Sequence, residues 1–441
     1  MKTFRWLTAA AVVAVTGCNI GAKYSVGGTL TGLMGQGLVL EDNSRNDLSL
    51  ESNGSFVFTS GTKNNDAYSV TVKTQPSNPA QICTVHNGSG TINRADVTNI
   101  IVSCTQAGRF AYVANQLSNN VSAYAIDAAN GALIPIAGSP FAALGTAPDS
   151  LAVDPNGRYL YVVNGGSNDV SVFAIDNASG ALTSAGLASA TGSGPDAVTV
   201  DPRGTYLYVT NLASDSVSAY AIDGTTGLLS ELPNSPFPVG TQPTSLKIDP
   251  NGNFLYVTNF GSGNVAVLAI DAATGSLSAV SGSPFAAGAG AVSIAIDPTG
   301  SDAYVANETA TSISEYSIDA STGALTAISA SPLATGSDPV SLAVDPAGRY
   351  LYAANVTAKN EVAAYSITPS SGALAPSGVP LAAGTLPISI AIDPSGQFAY
   401  VANDNSNDIS VYAVVAATGA LSPVSHSPFA AGNQPRSIAI D

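Results

Sequence analysis

YLYVVN (159–164), YLYVTN (206–211) and FLYVTN (254–259) are three copies of one six-residue phrase. Aromatic and β-branched residues crowd it, and an Asn closes it, so each copy reads as a short buried strand ending in a turn. The phrase returns, slightly worn, as FAYVAN (110–115), AYVAN (303–307), YLYAAN (350–355) and FAYVAN (398–403). Its central tyrosine falls at Tyr112, Tyr161, Tyr208, Tyr256, Tyr304, Tyr352 and Tyr400. The period is about 48 residues, the length of one blade of a β-propeller.

Outward from the phrase, one unit divides into four strands. In the second unit Ser150–Asp154 is strand A, and Pro155-Asn-Gly157 turns the chain into strand B, Tyr159–Asn164. A polar turn leads to strand C, Val170–Asp176, and Asn177-Ala-Ser-Gly180 leads to strand D, Ala181–Ser184. A longer loop rich in Gly and Pro returns to the next strand A. Gly, Pro, Asn and Asp sit where turns need them, and no stretch shows helical periodicity. A single four-stranded sheet cannot cover both its apolar faces, but blades packed in a ring can.

The two ends of the repeat region fix how the ring closes. The first unit opens at Phe110 with no strand A before it, and the chain stops after RSIAID (436–441), a strand A with no strand B after it. The C-terminal strand is therefore expected to complete the first blade. The fold class expected is all-β: a seven-bladed β-propeller over 107–441, closed by its own tail. Closure also removes sheet edges that would pair with other chains, so a monomeric propeller is expected.

The repeats resemble the YVTN, or lactonase-like, family of seven-bladed propellers. The resemblance covers all of 107–441 and rests on YVTN at 208–211 and 256–259. The VDP or IDP turns at 153–155, 200–202, 248–250, 296–298, 344–346 and 392–394 add to it. It implies the fold firmly. For activity it implies either lactone hydrolysis, as in 6-phosphogluconolactonase-like members, or a surface protein with no reaction.

The chain begins with MKTFRWLTAAAVVAVTG (1–17): a short basic start, then an apolar run too short to span a bilayer. Cys18 follows Val15-Thr16-Gly17, a sequence that resembles the lipobox of bacterial lipoproteins. The expectation is a signal peptide at 1–17, lipidation at Cys18, a tether over 18–23 and attachment to the cell envelope through that lipid alone. Residues 24–106 alternate in short runs such as Tyr68–Val72 and Ile100–Val102, the pattern of a small antiparallel β-sandwich. Loosely, it resembles the Ig-like modules that precede propellers in envelope proteins. With Cys18 lipidated, Cys83 and Cys104 remain, and an oxidising compartment favours their pairing over two buried thiols.

Composition narrows the chemistry. The 441 residues carry 14 Lys and Arg against 30 Asp and Glu, a net charge of −16. Such a surface repels phosphate backbones and argues against nucleic acid. Two His and no metal-ligand spacing give no metal or cofactor site. There is no HExxH, Walker loop or GxSxG, so the residues name no catalytic group. Asn115 and its six counterparts, and Asp154 and its five, recur in the repeat and read as turn-formers.

Departures from the repeat are more telling. The residue opening strand A is Arg436, Asp149, Asp196, Thr244, Val292, Val340 and Ile388 around the ring. Three residues on, Lys247 interrupts a column of small residues. Arg436, Asp149, Asp196 and Lys247 are thus expected to form a charged arc near the pore that orients a polar ligand. The competing reading is a structural ion-pair set of Arg436 and the two Asp on the rim, with Lys247 reaching into channel water. The function expected is an envelope-anchored binding or interaction platform for a glycan, peptide or lactone. Lactone hydrolysis and a structural surface array are the alternatives.

Overall fold

A computed structural model describes residues 23–33, 35–76, 81–106, 110–329, 331–356 and 359–441. The signal peptide, Cys18 and most of the tether expected from the sequence lie outside them. Among the described residues all regular structure is β, and no helix is long and apolar enough to cross a membrane. The chain divides into two compact units, 1–106 and 107–441.

The first unit builds two four-stranded sheets. One runs in the order Gly54–Val57, Val26–Thr31, Val97–Gln106, Gln81–His86; the other runs Asn46–Leu50, Leu38–Asp42, Ala67–Thr74, Ser89–Thr91. Alternate residues of both, among them Val26, Leu30, Leu38, Leu40, Val70, Ile100 and Val102, meet in one apolar core. The sandwich differs from the all-antiparallel expectation in one pair: Val97–Gln106 runs parallel to Val26–Thr31. Short alternating runs reveal that strands exist but not which edge the first one joins. Cys83 and Cys104 face each other across neighbouring strands and are joined as a disulfide. A loop of that size contributes roughly 3 kcal/mol by restricting the unfolded chain, valuable in a core this small.

The second unit is a ring of seven sheets. Strand A of each blade pairs strand B, B pairs C and C pairs D, all antiparallel. Strand B is buried throughout: Tyr159–Asn164, Tyr206–Asn211 and Phe254–Asn259 have no exposed residue. The loop after strand D is more ordered than its Gly/Pro content suggests. It contributes a fifth strand of two residues, such as Phe141–Ala142, that pairs the start of strand C.

The tail closes the ring. Pro435–Ile440 pairs antiparallel with Phe110–Asn115, placing Ile440 opposite Ala111 and Ile438 opposite Val113. Asp441 then accepts the N–H of Phe110 at 3.1 Å. In the second blade Asp154 does the same for Tyr159, within one unbroken turn. The seven tyrosines explain why blades hold together. Each donates its hydroxyl to a glycine carbonyl of the next blade, from Tyr112 to Gly180 at 3.0 Å round to Tyr400 to Gly131 at 3.1 Å. Those glycines have positive φ, and in most blades a Cβ there would strike the aromatic ring that opens the neighbouring strand B.

The repeated Asn and Asp have structural work. Asn115 is fully buried; its amide donates to Asn120 and Ser122 on strand C and accepts the N–H of Gly432. Asp154 is 5% exposed and accepts the N–H groups of Arg158 and Tyr159, shaping the A–B turn.

Candidate functional site

In each blade the ladder between strands A and B is broken at one place. Pro148 pairs Asn164 and Ser150 pairs Val163, which leaves Asp149 as the extra residue of a β-bulge. The same break isolates Asp196, Thr244, Val292, Val340, Ile388 and Arg436. A bulge re-aims its extra side chain, and here all seven turn to one end of the central channel. They line a cavity of about 540 Å³.

This cavity has two unlike sides. On one, the Arg436 guanidinium lies 3.6 Å from Asp149 and 4.0 Å from Asp404, and Gln116 donates to Asp149 at 2.5 Å. Gly165 makes room for this cluster, because a Cβ there would meet the Asp149 carboxylate at 2.0 Å. Around the rest of the ring stand Phe260, Val292, Val340, Val356 and Ile388, with the Glu308 carboxylate among them. Thr244, between the two sides, donates its hydroxyl to the Val292 carbonyl at 3.1 Å.

Burial sets the protonation of the acids. It pushes the Asp149 carboxyl upward, and Arg436 and Gln116 oppose the shift. Asp196 has no hydrogen bond or ion pair among the described residues. Burial and the neighbouring Asp149 charge raise it to about 7, against a smaller opposing pull from Arg436. Asp404 and Glu308 are raised as well, chiefly by burial. Such a mouth can accept hydrogen bonds, hold or release a proton at Asp196 near neutral pH, and cover an apolar surface. It offers little to an anion, since its one cation is already gripped by two carboxylates.

Of the four residues singled out from the sequence, the structure gathers Arg436, Asp149 and Asp196 at the mouth. It does not bring Lys247 to them. Lys247 lines a second cavity of about 600 Å³ further along the channel, below a waist formed by Ser150, Ala197, Ser245, Ser293, Ser341, Ser389 and Ser437. Three residues of extended chain separate it from the bulge, about 10 Å along the axis. The sequence reading also missed a second ring. The residue after each strand-B Asn (Gln116, Gly165, Leu212, Phe260, Glu308, Val356 and Asp404) stands beside the bulge residue. Its variability from repeat to repeat, immediately after a fixed Asn, was the available signal. No group of His, Cys, Asp and Glu among the described residues is arranged to hold a metal.

Comparison with known proteins places this geometry. The sequence profile of the family described as lactonase, 7-bladed beta-propeller, matches residues 77–245 and 239–438. The fold is similar to crystal structures of 6-phosphogluconolactonase candidates from Bacteroides uniformis and Bacteroides fragilis. The first is 20% identical, covers 76% of this chain and 100% of its own, and has a TM-score of 0.68. The second is 22% identical, covers 76% and 98%, and has a TM-score of 0.65. The periplasmic gluconolactonase of Pseudomonas aeruginosa is 20% identical over 75% of this chain and 98% of its own, with a TM-score of 0.64. At these identities the likeness concerns the fold. A search of curated protein sequences gives no match.

Proposed function

The chain belongs to the lactonase family of seven-bladed β-propellers, and on that premise we propose that it is an envelope-anchored binding protein whose mouth takes an uncharged small molecule. One observation carries the reading: a polar, hydrogen-bond-accepting arc and a largely apolar one, broken by Glu308, share a cavity of small-molecule size. The same charges select the ligand. The mouth holds four carboxylates, Asp149, Asp196, Glu308 and Asp404, and one cation, Arg436, that Asp149 and Asp404 already neutralise. A phosphorylated sugar lactone would enter a negative field with no free cation to receive it.

Hydrolysis of an uncharged lactone is the second reading, and Asp196 favours it. A carboxyl poised near neutral pH, beside a guanidinium, could take a proton from an attacking water while Arg436 steadies the carbonyl oxygen. The pH-stat assay of a panel of uncharged lactones, on wild type, Asp196→Asn and Arg436→Met, separates the two. A pure binder releases no acid from any lactone. Turnover that falls by about 100-fold or more in either variant establishes the hydrolase.

The address belongs to the same proposal. The basic start, short apolar run and Gly17-Cys18 support export and lipidation at Cys18. Trp6 is the sole tryptophan, so the mature protein should lack indole absorbance; retained absorbance in protein from the envelope would contradict cleavage at Cys18.

A further inference from the structure

Below the mouth, the channel contains a charge that the propeller does not answer. Lys247 stands in strand A of the fourth blade, at a position held in the other blades by Ala152, Thr199, Ala295, Ala343, Ala391 and Ala439. Its side chain reaches channel water, yet the surrounding walls hold its pKa down. Among the described residues no carboxylate pairs with it. Asp297 lines the same cavity, but its oxygens are spent on the N–H groups of Thr299, Ser301 and Asp302.

A second departure from the repeat falls beside the first. Antiparallel pairing spends alternate N–H groups of strand A on strand B and turns the others toward the channel. At three of the seven steps around the ring a serine of the preceding blade receives that N–H, while Ser150, Ser245 and Ser437 make no such bond. Ser293 accepts from Leu342 at 3.2 Å, Ser341 from Ile390 at 3.1 Å and Ser389 from Ile438 at 3.3 Å. At the step into the fourth blade the serine is replaced by Ala197, which has no hydroxyl to offer. Leu246, the residue before Lys247, is therefore the one such N–H in the ring for which the preceding strand A supplies no serine hydroxyl. An ammonium without a carboxylate partner and an amide without a serine acceptor thus lie on neighbouring residues of one inner strand lining this cavity.

We propose that this lower channel is an anion site, in which a small monovalent anion binds the Lys247 ammonium and the Leu246 N–H. Two donors of this kind suit a halide or a short carboxylate. The ring of small side chains around them leaves space for such an ion beside the lysine. This site is separate from the mouth, so it stands or falls independently of the ligand proposed there.

Chloride is the probe, followed by chlorine NMR linewidth on the full chain at constant pH. Wild type should broaden the chloride signal, and acetate should reverse the broadening by competition. Lys247→Met, close in shape but uncharged, should abolish it, with the melting transition confirming that the variant is folded. Ala197→Ser returns a hydroxyl to Leu246 and should weaken chloride binding several-fold while leaving Lys247 in place. Broadening that survives in Lys247→Met, or is absent in wild type, overturns the proposal. Wild-type affinity in Ala197→Ser overturns the part assigned to Leu246.

Discussion

At the scale of the residue, the repeat provides its own control, because each position is occupied seven times. Strand C opposite the buried tyrosine carries Ala123, Val172, Ala219, Val267, Ala364 and Val411 in six blades and Glu315 in the fifth. Glu315 is 3% exposed, and one of its carboxylate oxygens accepts the Leu374 N–H at 3.4 Å. Burial raises its pKa more than that bond lowers it. The folded state therefore holds its proton more tightly than the unfolded chain. Its contribution to stability is greatest in acid and is lost as pH rises through the folded pKa. Replacing Glu315 by Val should accordingly stabilise the propeller by about 1–2 kcal/mol at pH 8 and by less at pH 5. Thermal melts at the two pH values check this; a variant less stable than wild type at pH 8 would contradict it. The same comparison of columns marked Asp149, Asp196 and Arg436 in the sequence. It went astray at Lys247, because a one-dimensional column does not show that three residues of strand carry a side chain from the mouth to the waist's far side.

At the scale of the element, strand B was legible because burial on both faces leaves an apolar run that ends in a fixed Asn. The short fifth strand was not. Phe141–Ala142 and its counterparts are two residues long, and their pairing to strand C depends on where the preceding loop folds back. The bulge was also hidden. Pro148-Asp149-Ser150 reads as the start of a strand, and only the register shows that Asp149 pairs with nothing and turns into the channel. Local pattern reports which residues are extended, while aim is set by the partner strand. The parallel pair in the small sandwich escaped the reading for the same reason.

At the scale of the whole molecule, ring closure also builds the mouth. The tail that seals the first blade also brings Arg436, more than 280 residues from Asp149 in sequence, to 3.6 Å from it. Ring closure was readable because the missing strand at one end and the surplus strand at the other are both visible in the sequence. The charge balance of the finished mouth was readable only in part, since Glu308 and Asp404 entered it from a turn that looked structural. Around that mouth the propeller carries seven Lys and Arg against 24 Asp and Glu, so the long-range field repels the same ligands that the local carboxylates refuse. Calorimetric titration of the wild-type protein with an uncharged sugar lactone and with its phosphorylated counterpart, at one pH and low salt, tests this most directly. The uncharged lactone should bind at least about tenfold more tightly, a difference of about 1.4 kcal/mol. Equal affinity, or preference for the phosphorylated compound, would contradict the assignment of the mouth.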